Sequence, residues 1–219
     1  MRRTHWIGAA ALLLVLGGAC GDDDGEHHHA DASASADASS ADAANADAAN
    51  NPADASLIDG NAGAFTLTST AFTMGGAIPS KFTCDGMDVS PQLSWSNPPA
   101  GTMSFAFIFD DISFDFLHST AWDIPLSRTS LDEAVPNTFE PFGAGDMKQS
   151  RSWRGPSVVG YSGPCPPGGP NTYRFTIHAI PTTTISGLTQ TTGREAVRTA
   201  IKAASIGSVD LDGMYTRAP

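Results

Sequence analysis

Residues 104–125 read SFAFIFDDISFDFLHSTAWDIP, and the rest of the chain is best interpreted around them. Phe105, Phe107 and Phe109 alternate with Ser104, Ala106 and Ile108, the period of two expected of a strand with one strongly apolar face. Asp110 and Asp111 end that run. His118 follows a short loop, and Ala121, Trp122 and Ile124 carry a second strand-like run to Pro125, which cannot donate to a ladder. The arrangement is strand, carboxylates, short loop, histidine and strand. This is the expected ligand site.

Working outward, residues 65–70 (FTLTST) alternate as a β-rich opening strand, and residues 93–95 close a segment that holds an Asp-Gly turn signal at Asp85 and Gly86. After Pro125 about thirty residues are punctuated by Pro and Gly, a loop of a length that either lines a site or conceals structure of its own. Leu131 and Val135 suggest one helical turn within it. Residues 158–161 and 172–180 read as strands around GYSGPCPPGGP. In the second, Tyr173, Phe175, Ile177 and Ala179 form the apolar face, which leaves His178 on the polar one as a half-exposed strand histidine. A helix is expected from Thr192, which makes a T-x-x-E capping box with Glu195, through Val197, Ala200, Ile201 and Ala204 to a stop at Gly207. Residues 208–215 suit a last strand. Many short strands and one late helix predict a mainly β, mostly antiparallel domain.

The N-terminal part is of another kind. Arg2 and Arg3 precede an apolar run over residues 7–16, and Gly17, Gly18 and Ala19 lead to Cys20. The run is too short to span a bilayer, which takes about 20 residues, and reads as an export signal. Small residues before a cysteine resemble a bacterial lipoprotein signal, in which Cys20 would become the lipid-carrying N-terminus. Gly17 stands where leucine is usual. Residues 1–20 are thus the expected signal segment, and lipid on Cys20 the expected route to the membrane of the cell envelope.

Residues 21–63 are rich in Ala, Asp, Ser and Asn, hold no aromatic residue, and carry ten Asp or Glu with no Lys or Arg. Such a segment buries too little apolar surface to offset its ordering entropy, so a disordered acidic linker is expected. Most of the formal charge of −11 therefore belongs to the linker. Residues 64–219 hold thirteen acids against ten bases, which gives no basic face for nucleic acid. His27, His28 and His29 in the linker read as adventitious metal binders. With Cys20 lipidated, Cys84 and Cys165 remain as a pair in an exported protein and are expected to form a disulfide across a loop of about 80 residues, worth about 4 kcal/mol in the chain-entropy description. The alternative is two buried thiols.

Four pieces in order, FTCDGMDVSPQLSW at residues 82–95, the stretch from Asp110 to Pro125, GYSGPCPP at residues 160–167 and TYRFTIHAI at residues 172–180, resemble the bacterial branch of the phosphatidylethanolamine-binding protein, or Raf kinase inhibitor-like, family. The resemblance covers residues 64–219. It implies a large antiparallel sheet packed on a smaller one, with a pocket for a small anion or phosphate head group. Carried over by position, Asp111 matches the family's first aspartate, His118 its first histidine, Gly163, Pro164, Pro166 and Pro167 its proline loop, and Tyr173 its tyrosine. Asn171 stands where the family has a second histidine, so a potential cation is replaced by a neutral amide. The loop before His118 is also shortened, with Ile112, Ser113, Phe114 and Asp115 in place of the usual residues.

The expectation that follows is a non-enzymatic envelope protein, without cofactor or metal, that binds a small anionic ligand or lipid head group, or inhibits a protein partner such as a kinase or protease. Asp111 is expected to raise the pKa of His118 and so help it hold an anion. Two enzymatic readings compete. Ser162 in GYSGP is half of a nucleophile elbow, but Pro164 replaces the closing glycine. Asp110, Asp111 and His118 are metal-ligand types without a metal-site spacing. A structural lipoprotein with a vestigial pocket is the remaining alternative.

Overall fold

A computed structural model describes residues 63–217. The expected signal segment, Cys20, the histidine run and nearly all of the expected linker lie outside the described residues. The described chain forms β1 (Thr66–Thr68), β2 (Gly76–Ala77), β3 (Leu93–Ser96), β4 (Ser104–Asp111), β5 (Phe116–Pro125), β6 (Ser130–Leu131), β7 (Lys148–Gln149), β8 (Pro170–Ile180), α1 (Arg194–Ala204) and β9 (Gly207–Thr216). A six-stranded sheet has the order β2-β9-β8-β4-β5-β7, and a three-stranded sheet the order β1-β3-β6. The strands pair antiparallel except β2, which runs parallel to β9. The expected mainly β architecture of a large sheet on a smaller one, with one late helix, is the observed one.

Strand β4 lies between β5 and β8, and all eight of its residues are buried. Phe105, Phe107 and Phe109 enter the core between the sheets, where Phe105 meets Trp95 of the small sheet edge-on at 5.4 Å and Phe109 stacks on Phe175 at 4.3 Å. Burial of each phenylalanine contributes about 1.5–3 kcal/mol. Ala106 and Ile108 are equally buried on the other face, under Val197 and Ile201 of α1. The strand therefore has two apolar faces, because the helix covers the side that alternation alone assigns to solvent.

The helix ends at Ala204, ahead of the stop expected at Gly207, and its cap differs. Gly193 is the N-cap and supplies no side chain. The Thr192 hydroxyl instead accepts the Thr189 N–H at 2.9 Å, and Glu195 pairs with Arg198 at 2.8 Å. Gly207 opens β9. His178, expected half-exposed, is only 7% exposed because α1 packs over β8. No helical turn forms at Leu131 and Val135: Leu131 belongs to β6, paired with Leu93, and Val135 is a core residue. Residues 158–161 form no strand, only a single bridge between Arg151 and Val159, since Gly160 turns the chain at φ 85°.

Candidate ligand-binding site

Pairing of β4 with β5 runs Phe109 with Ser119 and then Asp110 with Leu117, so His118 is the extra residue of a β-bulge. Strict alternation counted back from Trp122, which packs with α1, would place His118 on the helix side of the sheet. The bulge turns it onto the face of Phe109 and Asp111, with its ring 4.9 Å from Phe109 and 5.5 Å from Tyr173 of β8. Tyr173 pairs with Asp111 across the two strands, which brings both to the same end of the sheet.

The histidine is 3% exposed, and its Nδ1 lies 2.8 Å from the Ser162 carbonyl oxygen. A carbonyl only accepts, so Nδ1 carries the proton and Nε2 keeps its lone pair. Burial holds the His118 pKa below its ordinary value of 6.5, opposed by the Ser162 carbonyl and then by Asp111. Asp111 does act to raise the His118 pKa, as expected, but desolvation outweighs it and the net shift is downward.

Asp111, 5% exposed, accepts the Asn171 side-chain N–H at 2.7 Å and the Ser113 backbone N–H at 2.9 Å. It has no ion pair among the described residues. The Tyr173 hydroxyl lies beside the same carboxylate and amide, and burial, with the charge of Asp111, pushes its pKa well up. These groups line a cavity of about 300 Å³ whose remaining walls are Phe114, Phe116, Trp153, Cys165, Pro166 and Pro167. The aromatic walls stand nearly at right angles to the imidazole, at 82° for Phe116, 77° for Trp153 and 82° for Tyr173.

Of the eight residues named from the sequence, Asp111, His118, Pro166, Pro167, Asn171 and Tyr173 line this cavity. Gly163 and Pro164 stand behind the wall: the Gly163 N–H donates to Asp88 at 2.7 Å, and the Pro164 carbonyl accepts from Cys84 at 3.0 Å. Cys84 and Cys165 form the expected disulfide, with Cα atoms 5.3 Å apart, and so fasten the proline wall to the segment after residue 82. The Ser162 hydroxyl is buried against Ser152 at 2.5 Å, and His118 bonds to its carbonyl, not to its hydroxyl. Asp110 points to the opposite face of the sheet, where it and Asp115 pair with Arg198. Sequence reading missed Phe114, Phe116 and Trp153. Trp153 comes from the long Pro- and Gly-rich loop whose length was the available signal.

The profile of the family described as "Phosphatidylethanolamine-binding protein" matches residues 68–216. The chain is 35% identical over 156 residues to the UPF0098 protein of Methanothermobacter thermautotrophicus, covering 69% of this chain and 98% of that one. It is 35% identical over 122 residues to LppC, a candidate lipoprotein of Mycobacterium tuberculosis, covering 53% of this chain and 55% of that one. Its fold is similar to the crystal structure of Escherichia coli YbcL, described as a member of the mammalian PEBP family, with a TM-score of 0.63 and 26% identity over 70% of this chain and 99% of the other. The four matched sequence pieces, the paired sheets and these likenesses place the chain in the phosphatidylethanolamine-binding protein family.

Proposed function

We propose that the protein is a non-enzymatic binding protein of the cell envelope, held there by lipid on Cys20 and the linker of residues 21–63, and that it receives a small phosphate-bearing head group in the cavity of Asp111, His118, Asn171 and Tyr173. The observation that carries this reading is the cavity itself. It joins a few convergent polar groups to a wall of aromatic and proline side chains, the usual composition of a small-molecule binding site. The buried Ser162 hydroxyl, turned away from the imidazole, supports binding over hydrolysis. Likeness to LppC supports the envelope location.

Calorimetric titration of the full chain with phosphorylethanolamine tests the reading. One saturable site is expected, weakened at least about tenfold in His118→Ala through loss of the Nε2 lone pair as acceptor for an N–H or O–H of the ligand. Equal affinity in the variant would place the ligand elsewhere.

A further inference from the structure

The cavity of Asp111 and His118 uses one face of the large sheet. On the other face α1 packs over β5 and β8 and leaves a groove beside it. Period two puts Arg174, Thr176 and His178 of β8 on that face. The strand pairing sets Asp110 beside Arg174, Asp210 beside Thr176 and Ser208 beside His178. With Lys202 of α1 as the opposite wall, these residues line a volume of about 310 Å³, large enough for a small molecule.

His178 lies on its floor and is 7% exposed. The Ser205 hydroxyl donates to the Gly207 carbonyl at 3.0 Å, so it accepts from Nδ1 of His178, also at 3.0 Å. Nε2 therefore keeps a lone pair, and it is buried without a partner. Buried polar atoms in folded proteins are nearly always satisfied. An acceptor left open on a cavity floor points to a donor supplied from outside.

Two carboxylates flank that acceptor. Asp210 accepts the Thr176 hydroxyl at 2.8 Å and lies 3.5 Å from Arg174, which is itself committed to Asp212 through two bonds of 2.8 Å. Asp110 has only a long contact of 3.4 Å to Arg198, whose closer partners are Asp115 and Glu195. Burial raises the Asp110 pKa, with Arg198 and then Lys202 opposing. Lys202 is exposed and makes no ion pair among the described residues. The groove thus sets acceptors on its sheet floor against one uncommitted cation on its helix wall. Among the described residues no three histidine or carboxylate groups converge as a set that could hold a metal ion. A positive group received here must bring its own hydrogen-bond donors, as an ammonium does.

We propose that this groove is a second binding site and that it takes a free α-amino acid. The ammonium donates to Nε2 of His178 and to Asp210, with Asp110 adding negative charge, and the ligand carboxylate pairs with Lys202. The site lies on the opposite face of the sheet from the first cavity and stands independently of the head-group reading.

Imidazole nitrogen NMR on the full chain, isotopically labelled in histidine and kept at neutral pH, reads Nε2 directly. The probes are L-alanine, L-glutamate and L-lysine, with the N-acetyl derivative of each, which lacks the ammonium, and the amide of each, which lacks the carboxylate. At least one amino acid should move the His178 Nε2 resonance saturably while His118 stays unmoved, and its two derivatives should bind at least about tenfold more weakly. Lys202→Gln, at an exposed position that leaves the fold intact, should weaken the amino acid by a similar factor and leave its amide unchanged. Absence of a His178 shift with all three amino acids, or a shift confined to His118, would overturn the proposal. Equal affinity for the N-acetyl derivative, or an affinity for the amino acid unchanged in Lys202→Gln, would overturn it as well.

Discussion

A β-carbon placed on Gly163 would stand 2.1 Å from the Phe82 carbonyl oxygen and 2.9 Å from the Asp88 carboxylate. The first neighbour is backbone and cannot swing aside. Gly163→Ala is therefore expected to cost about 3 kcal/mol of stability through overpacking, read as a lower urea midpoint at unchanged slope. A loss below about 0.5 kcal/mol, the ordinary size of a surface substitution, would show that the backbone there yields. The residue-by-residue match to the family found this glycine without its reason, which is close packing behind the wall. At Asp111 and His118 the identities were legible, but the charge state was not. A sequence shows that a carboxylate precedes a histidine, whereas the competing desolvation depends on how completely Phe109, Tyr173 and Trp153 close around the ring.

At the scale of elements, β8 and α1 enclose a second histidine. The Ser205 hydroxyl donates to the Gly207 carbonyl and so accepts from Nδ1 of His178, leaving Nε2 buried without a partner. Burial lowers the His178 pKa from 6.5 to about 4, with Asp210 opposing and Lys202 assisting. A depressed folded-state pKa means that the unfolded chain takes up the proton first. The stabilisation is complete above pH 6.5 and is lost as pH falls toward 4. Its full extent is on the order of 3 kcal/mol. His178→Gln should flatten this acid limb in urea unfolding at pH 7 and pH 4.5, compared with the wild type. An unchanged slope would show that His178 is protonated within the fold. Hydrophobic period found most of these elements, although it read β4 and β8 as half-solvated. Period reports which residues share a face but not what later covers that face, and the cover is a helix that for β4 lies about ninety residues further on.

For the whole molecule, the disulfide joins positions 81 residues apart and ties the proline wall of the site to the segment before β3. The double variant Cys84→Ser, Cys165→Ser is expected to lose about 4 kcal/mol, most of it from the freed entropy of the unfolded chain. Thermal unfolding of the two proteins checks this, and an equal Tm would show that the bridge adds nothing to the packed sheets.

The sequence by itself determined the mainly β class, the pairing of Cys84 with Cys165, the late helix and six of the residues around the cavity. Each of these is written in local period, composition or ordered motifs. Only the tertiary structure decided that His118 faces Asp111, because one extra residue in a strand pairing reverses every face beyond it and leaves no mark in composition. Only the tertiary structure also brought Trp153 to the site, from a loop whose position is set by long-range packing rather than by its own residues.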